Sequence, residues 1–133
     1  MTIYLLDANV LIALTVEEHE HHERVKAWMR EVTHVALCPI VEGSLVRFLV
    51  RIGESVSVAS EVLRLLHANP SCEFWPDSVT YAHADLSGVH GHRQVTDAYL
   101  VALVASRPEA RLATLDRALA QLRPDLTAFI AER

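Results

Sequence analysis

Short apolar runs alternate along the chain with longer segments in which apolar residues recur every three or four positions. Residues 3–6 (Ile-Tyr-Leu-Leu) form an apolar, partly β-favouring run that stops abruptly at Asp7. That is the pattern of a strand buried on both faces of a parallel sheet. Asp7 or Asn9 is placed to cap a helix through residues 10–14. The sequence turns polar at Glu17, and residues 18–31 read as a helix with one apolar stripe: Val25, Trp28, Met29 and Val32, spaced i, i+3, i+4, i+7. Residues 34–38 form a second strand candidate closed by Pro39, which suits the first turn of the following helix. That helix runs to about Arg51 and stops at Gly53.

A stretch containing Ser55, Ser57 and Ser60 leads into another helix that reaches Leu66 or His67, and Asn69-Pro70-Ser71 is a turn. Residues 72–75 form a short third strand ended by Pro76-Asp77. A brief helix is expected near residues 79–83, and residues 86–92 are the most loop-like stretch of the chain. Residues 96–105 form a strongly apolar helix that stops before Pro108. A fourth strand follows at residues 111–114, a helix at 116–122, and a final short strand or tail at 126–130. Short strands alternating with helices, without repeats or a linker, predict a single α/β domain over residues 1–133, a short parallel central sheet flanked by helices.

Composition agrees. The chain has 133 residues, 51% hydrophobic and 22% charged, with 4 Gly and 5 Pro, enough for one domain with a real core and unlike a disordered chain. No apolar run approaches the roughly 20 residues that cross a bilayer, so no membrane association is expected. The N-terminal stretch lacks a basic region and is interrupted by Asp7, unlike a signal peptide. Two cysteines, Cys38 and Cys72, are too few for a disulfide framework and fit reduced thiols in a cytoplasmic protein. A formal net charge of −5 argues against holding nucleic acid by bulk positive field. It does not exclude a nuclease, because acids gathered in a metal site lower the net charge while arginines elsewhere bind phosphate. The basic residues are 11 Arg and one Lys, Lys26, and Arg suits forked phosphate contacts.

The placement of the acids changes the picture. Asp7 and Asp116 each fall at or just beyond the C-terminal end of an expected strand, the edge where open parallel sheets bind ligands. Glu42 has Leu45, Val46 and Leu49 at i+3, i+4 and i+7, and Asp97 has Leu100, Val101 and Val104 in the same relation. Both acids therefore lie on apolar helix stripes, where an unpaired carboxylate is costly to bury and a shared cation would remove most of the cost. Taken singly, each has a plainer explanation. Asp7 and Asp116 suit helix caps, and Glu42 and Asp97 suit the macrodipole of a first turn. One cluster explains the four together.

These residues carry a resemblance. Leu5-Leu6-Asp7-Ala8-Asn9-Val10-Leu11 resembles the opening of a PIN domain, and Cys38-Pro39-Ile40-Val41-Glu42 followed by Arg47 resembles its second acidic motif. Val95-Thr96-Asp97-Ala98-Tyr99-Leu100 and Leu112-Ala113-Thr114-Leu115-Asp116-Arg117 resemble the third and fourth. Their order and spacing span nearly the whole chain, at the length of the small VapC-type toxins of type II bacterial toxin–antitoxin pairs. The resemblance implies a Mg²⁺- or Mn²⁺-dependent endoribonuclease with Asp7, Glu42, Asp97 and Asp116 as the acidic metal site. It implies Asn9, Thr96 and Thr114 as supporting polar positions, a VapB-type antitoxin as partner, and a homodimer. Val41 stands where a Thr is common, and no departure removes an acid.

Hard divalent cations take oxygen ligands, which suits such a set, and metal-activated water attacking phosphorus would leave a 5′-phosphate and a 3′-hydroxyl. Arg47, Arg93 and Arg117 lie near the motifs and are candidates for the RNA groove, with solvated surface charge as the plain alternative. His19, His21 and His22 beside Glu18, Glu20 and Glu23 read as a solvated face rather than a transition-metal site. His90-Gly91-His92 lies in the loop before Asp97, near enough in sequence to be a candidate for substrate contact. Trp28 reads as core, with a docking groove for a partner helix as the second choice. A haloacid-dehalogenase-type phosphatase would need a second Asp where Asn9 stands, and a response-regulator receiver would need an acidic pair after the first strand. The alternative of another class is a PIN-like module that binds RNA or a partner without cleaving.

Overall fold

The computed structural model describes residues 1–132. Five strands, β1 (Ile3–Leu6), β2 (Val35–Leu37), β3 (Cys72–Phe74), β4 (Ala110–Thr114) and β5 (Thr127–Phe129), form one sheet in the order β3-β2-β1-β4-β5. Every pairing is parallel. Six α-helices connect and flank them: α1 (Ala8–Thr15), α2 (His22–Met29), α3 (Pro39–Arg51), α4 (Val56–Ala68), α5 (Val95–Ala105) and α6 (Arg117–Leu122). The chain builds outward from β1 through β2 to β3, then returns to the other side of β1 for β4 and β5. The order therefore reverses between β1 and β4, the topological switch point at which doubly wound sheets open a crevice beyond their strand ends.

The core lies on both faces of the sheet, as short all-parallel strands require. Leu5, Leu37 and Leu112 are wholly buried, as are Val10 and Leu11 of α1, Leu45 of α3 and Leu103 of α5. The α5 helix buries Tyr99, Leu100, Val101, Leu103 and Val104, nearly its full circumference, which accounts for its strongly apolar sequence. Trp28 is half-buried and stands edge-on to Tyr4, with ring centroids 5.2 Å apart, so it belongs to the packing as expected.

Several boundaries differ from the sequence pattern for local reasons. Asp7 itself caps α1, which therefore starts at Ala8, not at Val10. The expected helix over 18–31 begins only at His22, because residues 17–21 close successive turns. The amide of His19 donates to the Val16 carbonyl, and that of His21 to the His19 ring at 3.1 Å. Such local side-chain bonds compete with helix. Ser55 caps α4 through the amide of Val58, whereas Ser57 and Ser60 lie on its exposed face. Gly53, at φ +100°, turns the chain out of α3 in a conformation that an L side chain rarely adopts. The brief helix expected near residues 79–83 is a single 3₁₀ turn at Tyr81–His83, and a second such turn, His92–Gln94, runs directly into α5.

Both cysteines are free, Cys38 buried and Cys72 half-buried, and burial pushes each thiol up to about 11. Among the described residues, no helix is long and apolar enough to cross a membrane. Leu112 is wholly buried at the centre of β4, so Leu112→Ala is expected to cost about 2–5 kcal/mol of unfolding free energy. Urea denaturation followed by circular dichroism measures it.

Candidate active site

The site begins with the register of two strands. Leu6 pairs with Ala113, and the Asp7 amide adds one further rung to the Ala113 carbonyl at 3.0 Å. The next residues on each strand, Asp7 and Thr114, are thereby set side by side. The Thr114 hydroxyl donates to Asp7 Oδ2 at 2.8 Å, and Asp7 Oδ1 accepts from the Ala8 amide at 2.8 Å. Asp7 is only 5% exposed. Burial raises its pKa most, the Thr114 and Ala8 bonds act in the opposite direction, and the nearby Asp116 charge raises it further. The helix-cap and cluster explanations of Asp7 thus hold together, one oxygen serving each.

Thr114 serves both strand-end acids. Its Oγ1 also accepts from the Asp116 amide at 3.0 Å, while Asp116 Oδ1 caps α6 through the Leu119 amide at 3.1 Å. Asn9 Oδ1 lies 3.5 Å from the Leu115 amide, a long contact across the same junction. Asp97 arrives from the first turn of α5, half-buried. Its carboxyl is pushed up to about 6, by burial first and then by the charges of Asp7 and Asp116. Three aspartates from three different elements therefore share one field. None of the ion pairs found among the described residues supplies a cation to any of them.

Glu42 is placed differently. It lies in the first turn of α3, half-buried, but its Oε2 accepts from Nε2 of His67 in the last turn of α4. The charges that raise Asp7 and Asp97 are aspartates alone, whereas Glu42 acts on Cys72. Of the four acids expected from sequence, the three aspartates share one field, and Glu42 is engaged by His67. His67 was not among the candidates read from sequence. It is 25 residues from Glu42, and only the packing of α4 on α3 brings them together, so no local spacing could have revealed it.

The remaining candidates separate. Thr96, although beside Asp97, is exposed. Arg47 and Arg93 are exposed, Arg47 donating to Ser44 Oγ at 3.2 Å. The Arg117 guanidinium lies 4.6 Å above the centroid of the Phe129 ring, a cation–π stack. His90 lines a cleft of about 340 Å³ that also contains Asp97 and Asp116, with apolar walls from Val101, Leu119 and Leu122. His19, His21 and His22 are half-buried and more engaged than a solvated face: His22 Nδ1 lies 2.8 Å from the Ala13 carbonyl, and His21 lies 3.6 Å from Glu20.

As the side chains stand, no three His, Cys, Asp or Glu residues among those described form a ready metal-binding group. The chemistry of the aspartates nonetheless fits a hard divalent cation. They offer only oxygen donors, they repel one another, and an ion between them would remove both penalties.

The match to a family model covers residues 4–123 and is that of the PIN domain; the chain belongs to the PIN-domain family. It is 50% identical to Ribonuclease VapC29 of Mycobacterium tuberculosis over 131 residues, covering 98% of this chain and 97% of that protein. It is 36% identical to Ribonuclease VapC38 of the same organism, over 90% of this chain and 92% of the relative. Among solved structures, VapBC2 from Rickettsia felis, bound to a DNA fragment from its promoter, superposes with a TM-score of 0.66 at 14% identity. That alignment covers 98% of this chain and 100% of the other, and supports the fold.

Two outcomes follow from this geometry. Thr114→Val keeps the shape of the side chain but strips one buried carboxylate of its donor and one amide of its acceptor. It is expected to cost about 1–3 kcal/mol in denaturant titration. Asp97 has a folded pKa raised above its unfolded value, so the folded state holds a proton that the unfolded state releases between about pH 4 and 6. Stability from this group falls as pH rises through that window and stays reduced above it. In EDTA, Asp97→Asn should therefore melt a few degrees higher than the parent at pH 7.5, and the difference should close near pH 4.

Proposed function

We propose that this chain is the toxin of a type II toxin–antitoxin pair, a divalent-metal-dependent endoribonuclease that hydrolyses RNA phosphodiester bonds. The observation that carries the proposal is the gathering of Asp7, Asp97 and Asp116 at the switch point with no ion-pair partner among the described residues. The ribonuclease names of the VapC relatives support the activity, and the VapBC neighbour supports a VapB-type antitoxin as partner. A homodimer is part of the same proposal.

A bound Mg²⁺ or Mn²⁺ would supply Lewis acidity and lower the pKa of a coordinated water. The chain's own residues do the rest. Asp7 and Asp116 would hold the ion from the strand ends, with Thr114 fixing the Asp7 carboxylate and the Asp116 backbone. Asp97 would close the set from α5, where its raised pKa would make ion binding compete with a proton near pH 6. Glu42 is the fourth acid of the proposed site. The cleft past Asp97 and Asp116 gives the RNA an apolar wall beside the acids, and exposed Arg47 and Arg93 provide phosphate contacts. Arg117 is the third candidate for such a contact, its guanidinium face stacked on Phe129. Attack by water on phosphorus leaves a 5′-phosphate and a 3′-hydroxyl and makes no use of the 2′-hydroxyl, so preference for RNA rests on binding.

Antitoxin-free protein should cut cellular RNA into discrete fragments with Mn²⁺ or Mg²⁺, stop on addition of EDTA and resume when metal is restored. Asp7→Ala and Asp97→Ala should each abolish cleavage while circular dichroism shows a folded chain; activity retained in either removes that acid from the site. Fragment ends bearing a 2′,3′-cyclic phosphate would contradict hydrolysis by water. Absence of cleavage by folded protein in every condition would favour a non-cleaving binding module.

A further inference from the structure

A carboxylate on a helix has three rotatable bonds, and holding it in one rotamer costs entropy unless something else fixes it. Glu42 is fixed by a residue from another element. His67 Nε2 donates to Glu42 Oε2, the His67 side chain 31% exposed and that of Glu42 only 18%. The ring is itself braced: Phe74 of β3 stands edge-on to it, with centroids 6.1 Å apart and planes at 69°. The donor is thus placed from two sides, by the last turn of α4 and by β3. A helix C-terminus also favours a donor carrying positive character.

The Glu42 backbone is tied to the sheet edge nearest Asp7. The amide of Glu42 donates to the Cys38 carbonyl at 3.1 Å, and Cys38 follows β2, which pairs directly with β1. What remains free at Glu42 is the direction of its side chain, and that is the variable His67 controls.

We infer that His67 is a positioning residue for Glu42: it holds one carboxylate oxygen, so that the other is offered to a divalent cation from a pre-set side chain. This rests on Glu42 being one of the acids that bind the ion. Partners of this kind to metal-binding groups commonly govern affinity by 10–100-fold.

The test is Mn²⁺ titration of the full chain, with free Mn²⁺ followed by electron paramagnetic resonance, alongside RNA cleavage as a function of Mn²⁺. His67→Ala should weaken Mn²⁺ binding about 10–100-fold. It should raise the Mn²⁺ concentration for half-maximal activity in parallel and leave the KM for RNA unchanged. His67→Gln, which keeps a donor at a similar reach, should recover most of the loss. Thermal melting in EDTA checks that both variants are folded. Unchanged Mn²⁺ affinity in His67→Ala would overturn the inference. Tighter binding would overturn it too, since His67 would then be withholding Glu42 from the ion. Glu42→Gln separates the two levels: wild-type Mn²⁺ affinity in that variant removes Glu42 from the ion site, and the role of His67 falls with it.

Discussion

The structure turns on the hydroxyl of Thr114. It donates to Asp7 and accepts from the backbone of Asp116, and so joins the ends of the two strands between which the sheet reverses its order. Parallel register sets up the contact: once Leu6 pairs with Ala113, the next residue of each strand falls beside the other. A buried carboxylate with one donor from a strand neighbour and one from its own helix is tolerable. Its charge is not neutralised by either bond. That residual charge, with Asp97 and Asp116 in the same field, is what the proposed cation would balance.

The rest of the domain serves this arrangement. The core on both faces of the sheet fixes β1 and β4. The almost wholly buried α5 helix carries Asp97 to them with little freedom to withdraw, because Tyr99, Leu100 and Leu103 anchor it within two turns of the acid. Helix caps and cluster acids are the same residues at Asp7 and Asp116. Burial, and after it the proximity of like charges, costs stability in the absence of an ion, and both raise the pKa of Asp97. A site strained in this way gains affinity for whatever relieves it.

The fold was largely legible in the sequence because its signals are local. An apolar run ended by an acid, a proline opening a helix and a glycine closing one are each read within a few residues. The aspartates were legible for the same reason, since strand ends and helix stripes are periodic features. What escaped was set by contacts between distant segments. The pairing of Glu42 with His67 depends on how α4 packs on α3, and the stacking of Arg117 on Phe129 depends on where β5 runs. The late start of α2 escaped for a different cause, as the ring of His19 captures a backbone amide that the helix would have used.

The most direct test of cation binding by the aspartate cluster is the titration of the Asp97 carboxyl by ¹³C NMR, without divalent metal and then with saturating Mg²⁺. In the absence of metal the carboxyl should titrate near the value of about 6 that burial and its two acidic neighbours impose. With Mg²⁺ between the acids, the charged form is favoured and the midpoint should fall well below the ordinary carboxylate value. A midpoint unmoved by Mg²⁺ would mean that the three aspartates do not share an ion, and would contradict a cation-dependent site at the β1–β4 junction.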